Sequence, residues 1–193
     1  MKLAFLEDRP WIVWEMVMHI KTKYKLPEIM VIYYKNSENT ENTENIENTE
    51  NTENTENTGN DKLNELIKKC VHEKIKFKEI NRWNFEEQMN QLYDDSEIKF
   101  FFDLVLDDNV DYFEDRINVR YASDKKVKEA KEGKEERIWF YTTSGAYNVT
   151  NIMNVFGENQ IVDVINYNPE TNQIEFAENA LNRILNNDAI NKK

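Results

Sequence analysis

Short apolar runs alternate with amphipathic stretches along most of this chain. The runs are rich in β-branched and aromatic residues, which is typical of strands. The predicted strands cover Lys2–Leu6, Glu28–Tyr34, Lys74–Ile80, Lys99–Leu106, Arg137–Tyr141 and Gln160–Ile165. Within this set, Lys74–Ile80 alternates apolar residues with lysines, so we expect it to be half exposed.

The segments between these strands carry apolar residues at helical spacing. The predicted helices cover Pro10–Tyr24, Asp61–Glu73, Phe85–Tyr93, Asp124–Lys134, Tyr147–Phe156 and Ile174–Leu185. Strands that alternate with helices favour right-handed βαβ units. The pattern therefore predicts an α/β domain in which helices cover both faces of a parallel sheet of five or six strands.

One tract breaks this pattern. Residues 38–58 consist of seven Glu-Asn-Thr or Glu-Asn-Ile triplets without a basic residue, and Ile46 is their only apolar side chain. Ordering such a segment costs conformational entropy and buries almost no apolar surface. We predict a disordered loop over 38–60 inside a single domain that spans residues 1–193.

The charge balance narrows the choice of partner. The chain has 193 residues and a net charge of −12, and seven acids lie in the tract, so the other 172 residues carry a net charge of −5. An acidic chain without a stripe of lysine and arginine repels phosphate backbones. We therefore expect neither nucleic acid nor an anionic membrane to bind by charge.

Cysteine, histidine and glycine usage excludes several classes of site. Cys70 is the only cysteine and the chain has two histidines, which together are too few for a Cys/His zinc site. The four glycines form no phosphate-binding loop. A single cysteine allows no intrachain disulfide, which is typical of a reducing compartment. We also find no export signal after Met1 and no long apolar run, so we expect the protein to lie in the cytosol.

Acidic side chains follow two of the strongest strands. Glu7 and Asp8 come after the first strand, and Asp107 and Asp108 come after Lys99–Leu106. A hydroxyl cluster, Thr142–Ser144, follows a third strand. In doubly wound sheets, ligands bind beyond the carboxyl ends of the strands. Capping a helix or starting a turn is the commoner role of any one such residue, but the recurrence at three strand ends favours a Mg²⁺ site.

These motifs resemble those of response-regulator receiver domains. Phe5–Pro10 is similar to the "hydrophobic, acid, acid, x, Pro" start of that family, and Asp103–Val110 is similar to its phospho-acceptor strand. Trp139–Gly145 resembles the strand that ends in threonine or serine. The resemblance implies a flavodoxin-like, receiver-like three-layer sandwich, in which either Glu28–Tyr34 or Lys74–Ile80 takes the second-strand position.

The resemblance also implies roles for single residues. Glu7, Asp8 and Asp107 would hold Mg²⁺, and Thr143 would contact the phosphoryl group. Asp107 would be the phospho-acceptor, with Asp108 as its rival.

Two departures from the family weaken this chemistry. Asn168 precedes Pro169 where the family has lysine, and Ile165 stands where it has an aromatic switch residue. Losing a charged contact to the phosphoryl group removes about 1.5–3 kcal/mol at the site. We therefore expect slow or absent phosphorylation. Arg9 could substitute for the missing lysine, but we expect its side chain to be solvated.

The expected function is a stand-alone, divergent response-regulator-like signalling module that contacts a kinase or an effector protein and is not an enzyme in the ordinary sense. One alternative is a Mg²⁺-dependent phosphotransfer or nuclease enzyme of the Toprim type, built from Glu7 with Asp107, Asp108 and Asp111. The glycine usual after the first acid of that type is missing. Another alternative is a receiver-fold scaffold that works without phosphorylation.

The helix Pro10–Tyr24 is apolar almost all round. A helix on a sheet needs one apolar stripe only. Either the inserted segment covers its outer side, or Trp11 and Trp14 face a partner.

Overall fold

The fold is built on one parallel sheet, seen in a computed structural model that describes residues 1–25, 28–35, 53–103, 106, 116–133, 137–142 and 164–166. The strands are β1 (Lys2–Glu7), β2 (Ile29–Lys35), β3 (Lys76–Asn81), β4 (Ile98–Asp103), β5 (Ile138–Thr142) and β6 (Val164–Asn166). Their order in the sheet is β3-β2-β1-β4-β5-β6, and every pair is parallel. This confirms the predicted α/β class with a six-stranded sheet.

Helices cover both faces of the sheet. A 3₁₀ turn, Pro10–Val13, leads into α1 (Trp14–Tyr24), and the later helices are α2 (Glu53–His72), α3 (Phe85–Tyr93) and α4 (Ile117–Glu132). Side chains of α1 and α2 pack with Phe5 and Phe101 on one face. Those of α3 and α4 pack on the opposite face, so three layers form two cores.

The strand order is that of a six-stranded doubly wound sheet, and it contains the five-stranded flavodoxin-like order with one strand added at the edge. β2 lies beside β1, so Glu28–Tyr34 takes the second-strand position, and β3 is the added edge strand. The chain passes from β3 at this edge to β4 on the other side of β1. The topological switch point, where ligands bind in such sheets, therefore lies between β1 and β4.

Strand β4 is described as far as Asp103, whereas the predicted strand runs to Leu106. The carbonyl oxygen of Asp103 accepts a hydrogen bond from Nδ2 of Asn118 at 2.5 Å. Leu106 is buried in the same core as Val119 and Ala122 of α4. The last residue of the apolar run therefore contributes to the core.

Helix α2 corrects the prediction of disorder in part. It begins at Glu53, eight residues before the predicted start at Asp61, so residues 53–60 are helical. Residues 38–52 of the predicted loop lie outside the described residues.

Helix α4 also begins earlier than predicted, at Ile117 rather than Asp124. Val119, Tyr121 and Ala122 supply its buried face before the charged segment begins. The predicted helices over 147–156 and 174–185 lie outside the described residues. None of the helices in the described ranges is both long and apolar enough to cross a membrane.

The apolar first helix is covered. Val13, Met16, Val17 and Ile20 are buried, and Trp14 packs against the same core. Leu66 and Cys70 of α2 join this core, so the inserted unit provides the cover. Burial raises the pKa of the Cys70 thiol to about 11, in keeping with a packing role.

Candidate functional site

Three carboxylates meet at the switch point. Glu7 is the last residue of β1, Asp103 is the last residue of β4, and Asp8 follows Glu7. One oxygen of each lies within 4.8 Å of the others. We call Glu7, Asp8 and Asp103 the acidic cluster.

Sheet register brings these residues together. Leu6 is opposite Phe102 in the β1–β4 ladder, so the next residues, Glu7 and Asp103, are neighbours across the strands. Asp103 is in turn opposite Tyr141 of β5. Because side chains alternate between the faces of a strand, Glu7, Asp103 and Tyr141 form one row on the face covered by α1 and α2.

The row is withdrawn from solvent. Glu7 is 0% exposed and Asp103 is 1% exposed. Burying a carboxylate is costly unless hydrogen bonds or a positive charge compensate for the lost water. The backbone N–H of Arg9 donates to Oε1 of Glu7 at 3.1 Å, and the hydroxyl of Tyr141 lies 2.9 Å from Oε2.

Electrostatics favour a protonated Glu7 in the absence of a cation. Loss of hydration raises the pKa of Glu7 well above its ordinary value, and the charge of Asp103 and the hydrogen bond with Asp8 add to this shift. Burial likewise raises the pKa of Tyr141, with the charges of Glu7 and Asp103 as further causes. Tyr141 therefore stays a neutral phenol.

The hydrogen bonds of Tyr141 agree with a proton on Glu7. Its oxygen lies 2.9 Å from Oε2 of Glu7 and 3.1 Å from the carbonyl oxygen of Leu6. A phenol has one proton to donate. If Glu7 is protonated, its O–H donates to Tyr141 and Tyr141 donates to Leu6, so both contacts are full hydrogen bonds.

Asp8 and Arg9 form the outer side of the site. Nε of Arg9 lies 3.5 Å from Oδ1 of Asp8, and the Arg9 side chain is more than half exposed. Because the Arg9 side chain is mostly exposed, a pair of this kind adds little stability, although Oδ1 of Asp8 is itself buried. The expectation that Arg9 is solvated therefore agrees with its position, although its backbone amide holds Glu7.

Helix α4 is tied to the site at its first turn. Asn118 is fully buried, and its Nδ2 donates to the carbonyl of Asp103. The helix therefore begins where β4 ends, and this contact fixes the backbone that carries Asp103.

Sequence reasoning identified part of this site. It named Glu7 and Asp8, which the structure places in the acidic cluster, whereas Asp107, Asp108, Asp111, Thr143 and Asn168 lie outside the described residues. It missed Asp103 and Tyr141. The sequence signal for Asp103 was its place inside the apolar run Phe100–Leu106. Burying a charge in a strand costs free energy unless a partner compensates for it, so such an acid is a candidate for a site.

The donor set fits a hard divalent cation. Carboxylate oxygens are the ligands that Mg²⁺ prefers, and it usually takes only one or two carboxylates while keeping several waters. The protein supplies three carboxylates within reach of one ion, two of them buried. A bound cation would offset the loss of hydration and the repulsion by Asp103 that raise the pKa of Glu7.

The acidic cluster is the feature of the described residues that indicates a ligand site. Its location at the switch point is the usual ligand position of such sheets. No family model, curated protein or solved structure matches the chain.

Proposed function

We propose that the chain is a divergent receiver-like signalling module whose acidic cluster binds a divalent cation, with Mg²⁺ as the first candidate. The observation that carries this proposal is the meeting of Glu7, Asp8 and Asp103 at the carboxyl ends of β1 and β4. The receiver resemblance places its metal-binding acids and its acceptor at the ends of two such strands. A protein partner, a kinase or an effector, would read the state of the site.

Each residue of the site has a definite task in this proposal. Glu7, Asp8 and Asp103 would hold the cation, which supplies positive charge for phosphoryl oxygens when it is bound. The amide of Arg9 fixes one oxygen of Glu7, and the hydroxyl of Tyr141 fixes the other. Tyr141 is thus a positioning residue, which holds the carboxylate toward the cluster.

The acceptor is better assigned to Asp103 than to Asp107. The receiver family has its phospho-acceptor at the end of the strand, and Asp103, at the end of the described part of β4, shares the acidic cluster with Glu7 and Asp8. Its carboxylate would attack phosphorus, so that an O–P bond forms while the bond to the donor's leaving group breaks. Since Asp103 is 1% exposed, a donor reaches it only if nearby residues move, and we expect slow labelling.

Metal binding is tested first, by thermal unfolding of the wild-type chain with increasing MgCl₂. A ligand that binds only the folded state raises its stability, by about 2.7 kcal/mol at a hundredfold excess over Kd. We expect a rise in Tm that Asp8→Asn and Asp103→Asn abolish. Asp124→Asn, an exposed carboxylate on α4, is the matched control and should keep the rise.

An unchanged Tm up to about 20 mM MgCl₂ would contradict the metal site, because sites with few carboxylates still bind in the millimolar range. Phosphorylation is tested separately, by mass spectrometry after incubation with acetyl phosphate. Slow labelling that maps to Asp103 supports the acceptor role. Fast labelling, or a label on Asp107 or Asp108, contradicts it.

A Mg²⁺-dependent enzyme of the Toprim type is the second candidate. Adjacent strands carry Glu7 and Asp103 at their ends, and that type also pairs acids from two strands. Cleavage of a DNA plasmid with Mg²⁺, lost in Glu7→Gln, would favour this candidate over the signalling module.

A further inference from the structure

Lysines gather at one corner of this acidic molecule. They lie at the C-terminal ends of α1 and α2 and at the start of β3. We call this set the lysine corner, and it comprises Lys21, Lys23, Lys25, Lys68, Lys69, Lys74 and Lys76. Glu28, Glu65 and Glu73 are its acidic neighbours, so the corner has a surplus of four positive charges, whereas the whole chain has a net charge of −12.

Contacts show that the two groups of lysines adjoin. Nζ of Lys21 donates to the carbonyl of Glu73 at 2.5 Å and to its Oε2 at 2.9 Å. Lys76 donates to Glu28 at 2.7 Å. These bonds join the end of α1 to the turn after α2, so residues some fifty positions apart form one surface.

Local structure explains only some of these lysines. Cations near a helix C-terminus interact favourably with the dipole, which accounts for Lys21, Lys23 and Lys69. Lys74 lies in a turn and Lys76 on an edge strand, and both are exposed. Val71, in their midst, is 74% exposed.

We propose that the lysine corner binds the Glu-Asn-Thr tract of a second copy of this chain. Residues 38–52 of the tract have a glutamate at every third position and no basic residue, and Ile46 is their one apolar side chain. The two partners therefore have opposite charges, and each offers one apolar side chain, Ile46 in the tract and the exposed Val71 in the corner. This interaction is separate from the acidic cluster at the other end of the sheet.

The segment between β2 and α2 is too short for the tract to bind the lysine corner of its own molecule, so we assign the contact to a second copy. Helix α2 has 20 residues and is about 30 Å long, so its C-terminal corner is far from Glu53. Seventeen residues separate Lys35 from Glu53 and span at most about 60 Å when fully extended. A path along β2 to the corner and back along α2 uses nearly all of that length. The tract of the same molecule therefore has no slack to lay its glutamates on the lysines.

An acidic protein segment fits this corner better than nucleic acid does. Outside the corner the chain is acidic and repels a long phosphate backbone. The corner has lysines but no arginine to pair bidentately with phosphates. A short tract that touches only the corner avoids the repulsion.

Two charge variants test the proposal by analytical ultracentrifugation at low salt. The tract variant replaces Glu38, Glu41, Glu44, Glu47 and Glu50 with Gln. The corner variant carries Lys23→Gln, Lys68→Gln and Lys74→Gln. We expect the wild type to self-associate weakly as its concentration rises, and each variant alone to remain monomeric.

Mixing the two variants is the decisive step. The tract variant retains the lysine corner and the corner variant retains the tract, so the mixture should form a one-to-one dimer and nothing larger. Lys126→Gln, Lys128→Gln and Lys131→Gln on α4 change the net charge equally and should leave self-association intact. Added salt should dissociate the dimer, since the Debye length falls from about 30 Å at 0.01 M to about 3 Å at 1 M.

Two results would overturn the proposal. One is a wild type that stays monomeric at the highest concentration in low salt, even if the corner binds another polyanion such as heparin. The other is a mixture that shows no dimer although each variant is folded by circular dichroism.

Discussion

Two glutamates are buried in this molecule in opposite ways. Glu129 of α4 is 5% exposed, and it accepts from Nε of Arg137 at 3.3 Å and from the hydroxyl of Tyr93. Glu7 is fully buried, and its nearest charges are those of Asp103 and Asp8. The first glutamate has a cation of its own and the second sits among like charges.

The surroundings of Glu129 form a structural network. Arg137 donates to the backbone carbonyls of Asp95 at 2.9 Å and Tyr93 at 2.8 Å, and it stacks 3.9 Å from the Tyr93 ring centre. These bonds join α3, α4 and the start of β5. Burial and the hydrogen bond to Glu129 raise the pKa of Tyr93, which stays neutral.

The comparison of Glu129 with Glu7 distinguishes a buried acid that stabilises the fold from one that indicates a ligand site. A buried acid with a guanidinium partner holds elements together. A buried acid beside two others costs stability unless a cation binds, and acids with a strongly raised pKa are concentrated at ligand sites.

Breaking the compensated pair should have the largest effect. Arg137→Ala leaves Glu129 buried beside Tyr93 without its cation, and we expect a loss of about 3–5 kcal/mol in the free energy of unfolding, measured in urea. Lys131 is exposed on α4, the helix that carries Glu129, and Lys131→Ala should change the free energy of unfolding by less than about 0.5 kcal/mol. A loss below about 1 kcal/mol in Arg137→Ala would show that the pair is not a structural network.

Neutralising the uncompensated acid should act in the other direction. Glu7→Gln keeps the shape and removes the need to take up a proton on folding, so we expect the metal-free protein to gain about 1–2 kcal/mol at pH 7. The same variant should lose the Mg²⁺-induced rise in Tm. Glu15→Gln, an exposed residue on α1, is the control with no expected change. A destabilised Glu7→Gln would mean that the ionised form is already compensated in the metal-free protein.

The stability of the metal-free protein should also depend on pH through Glu7. Glutamate in the unfolded chain titrates near 4.5, whereas folded Glu7 keeps its proton to higher pH. The folded state thus binds more protons above pH 4.5, so its stability falls as the pH rises from there through the folded pKa. Urea unfolding of wild type and Glu7→Gln should diverge over this window and converge below it. Parallel curves would contradict the raised pKa.

Removing the Tyr141 hydroxyl should have the smallest effect. Tyr141→Phe deletes hydrogen bonds to Glu7 and to the carbonyl of Leu6, and we expect a loss of about 1 kcal/mol in urea unfolding. As a positioning residue, Tyr141 should also weaken Mg²⁺ binding when it is changed, measured by calorimetry. Trp139→Phe, two residues earlier on the same face, controls for packing and should leave Mg²⁺ affinity unchanged.

Local pattern was enough for most of the fold. Phe85–Tyr93 was predicted with the bounds that α3 has, and the strands agree within a few residues because their apolar runs are compact. The order of strands around β1 fixes which acids meet, and no local pattern encodes that order.

The missed features share one cause. Asp103 stands inside an apolar run, and only the pairing of β4 with β1 brings it to Glu7. The lysine corner joins residues 21–25 to 68–76 only through the packing of α1 against α2. Both depend on contacts between segments that are distant in sequence.

The edge strand β3 has a consequence for how the backbone of the site exchanges its protons. With β3 and β2 on one side and β5 and β6 on the other, β1 and β4 are the two central strands. Successive amides of these strands donate alternately to the neighbouring strand on either side and open only when the sheet comes apart, so their hydrogen exchange should report global unfolding. A cation bound between these two strands would then slow deuterium uptake across the whole sheet, including strands far from the acidic cluster.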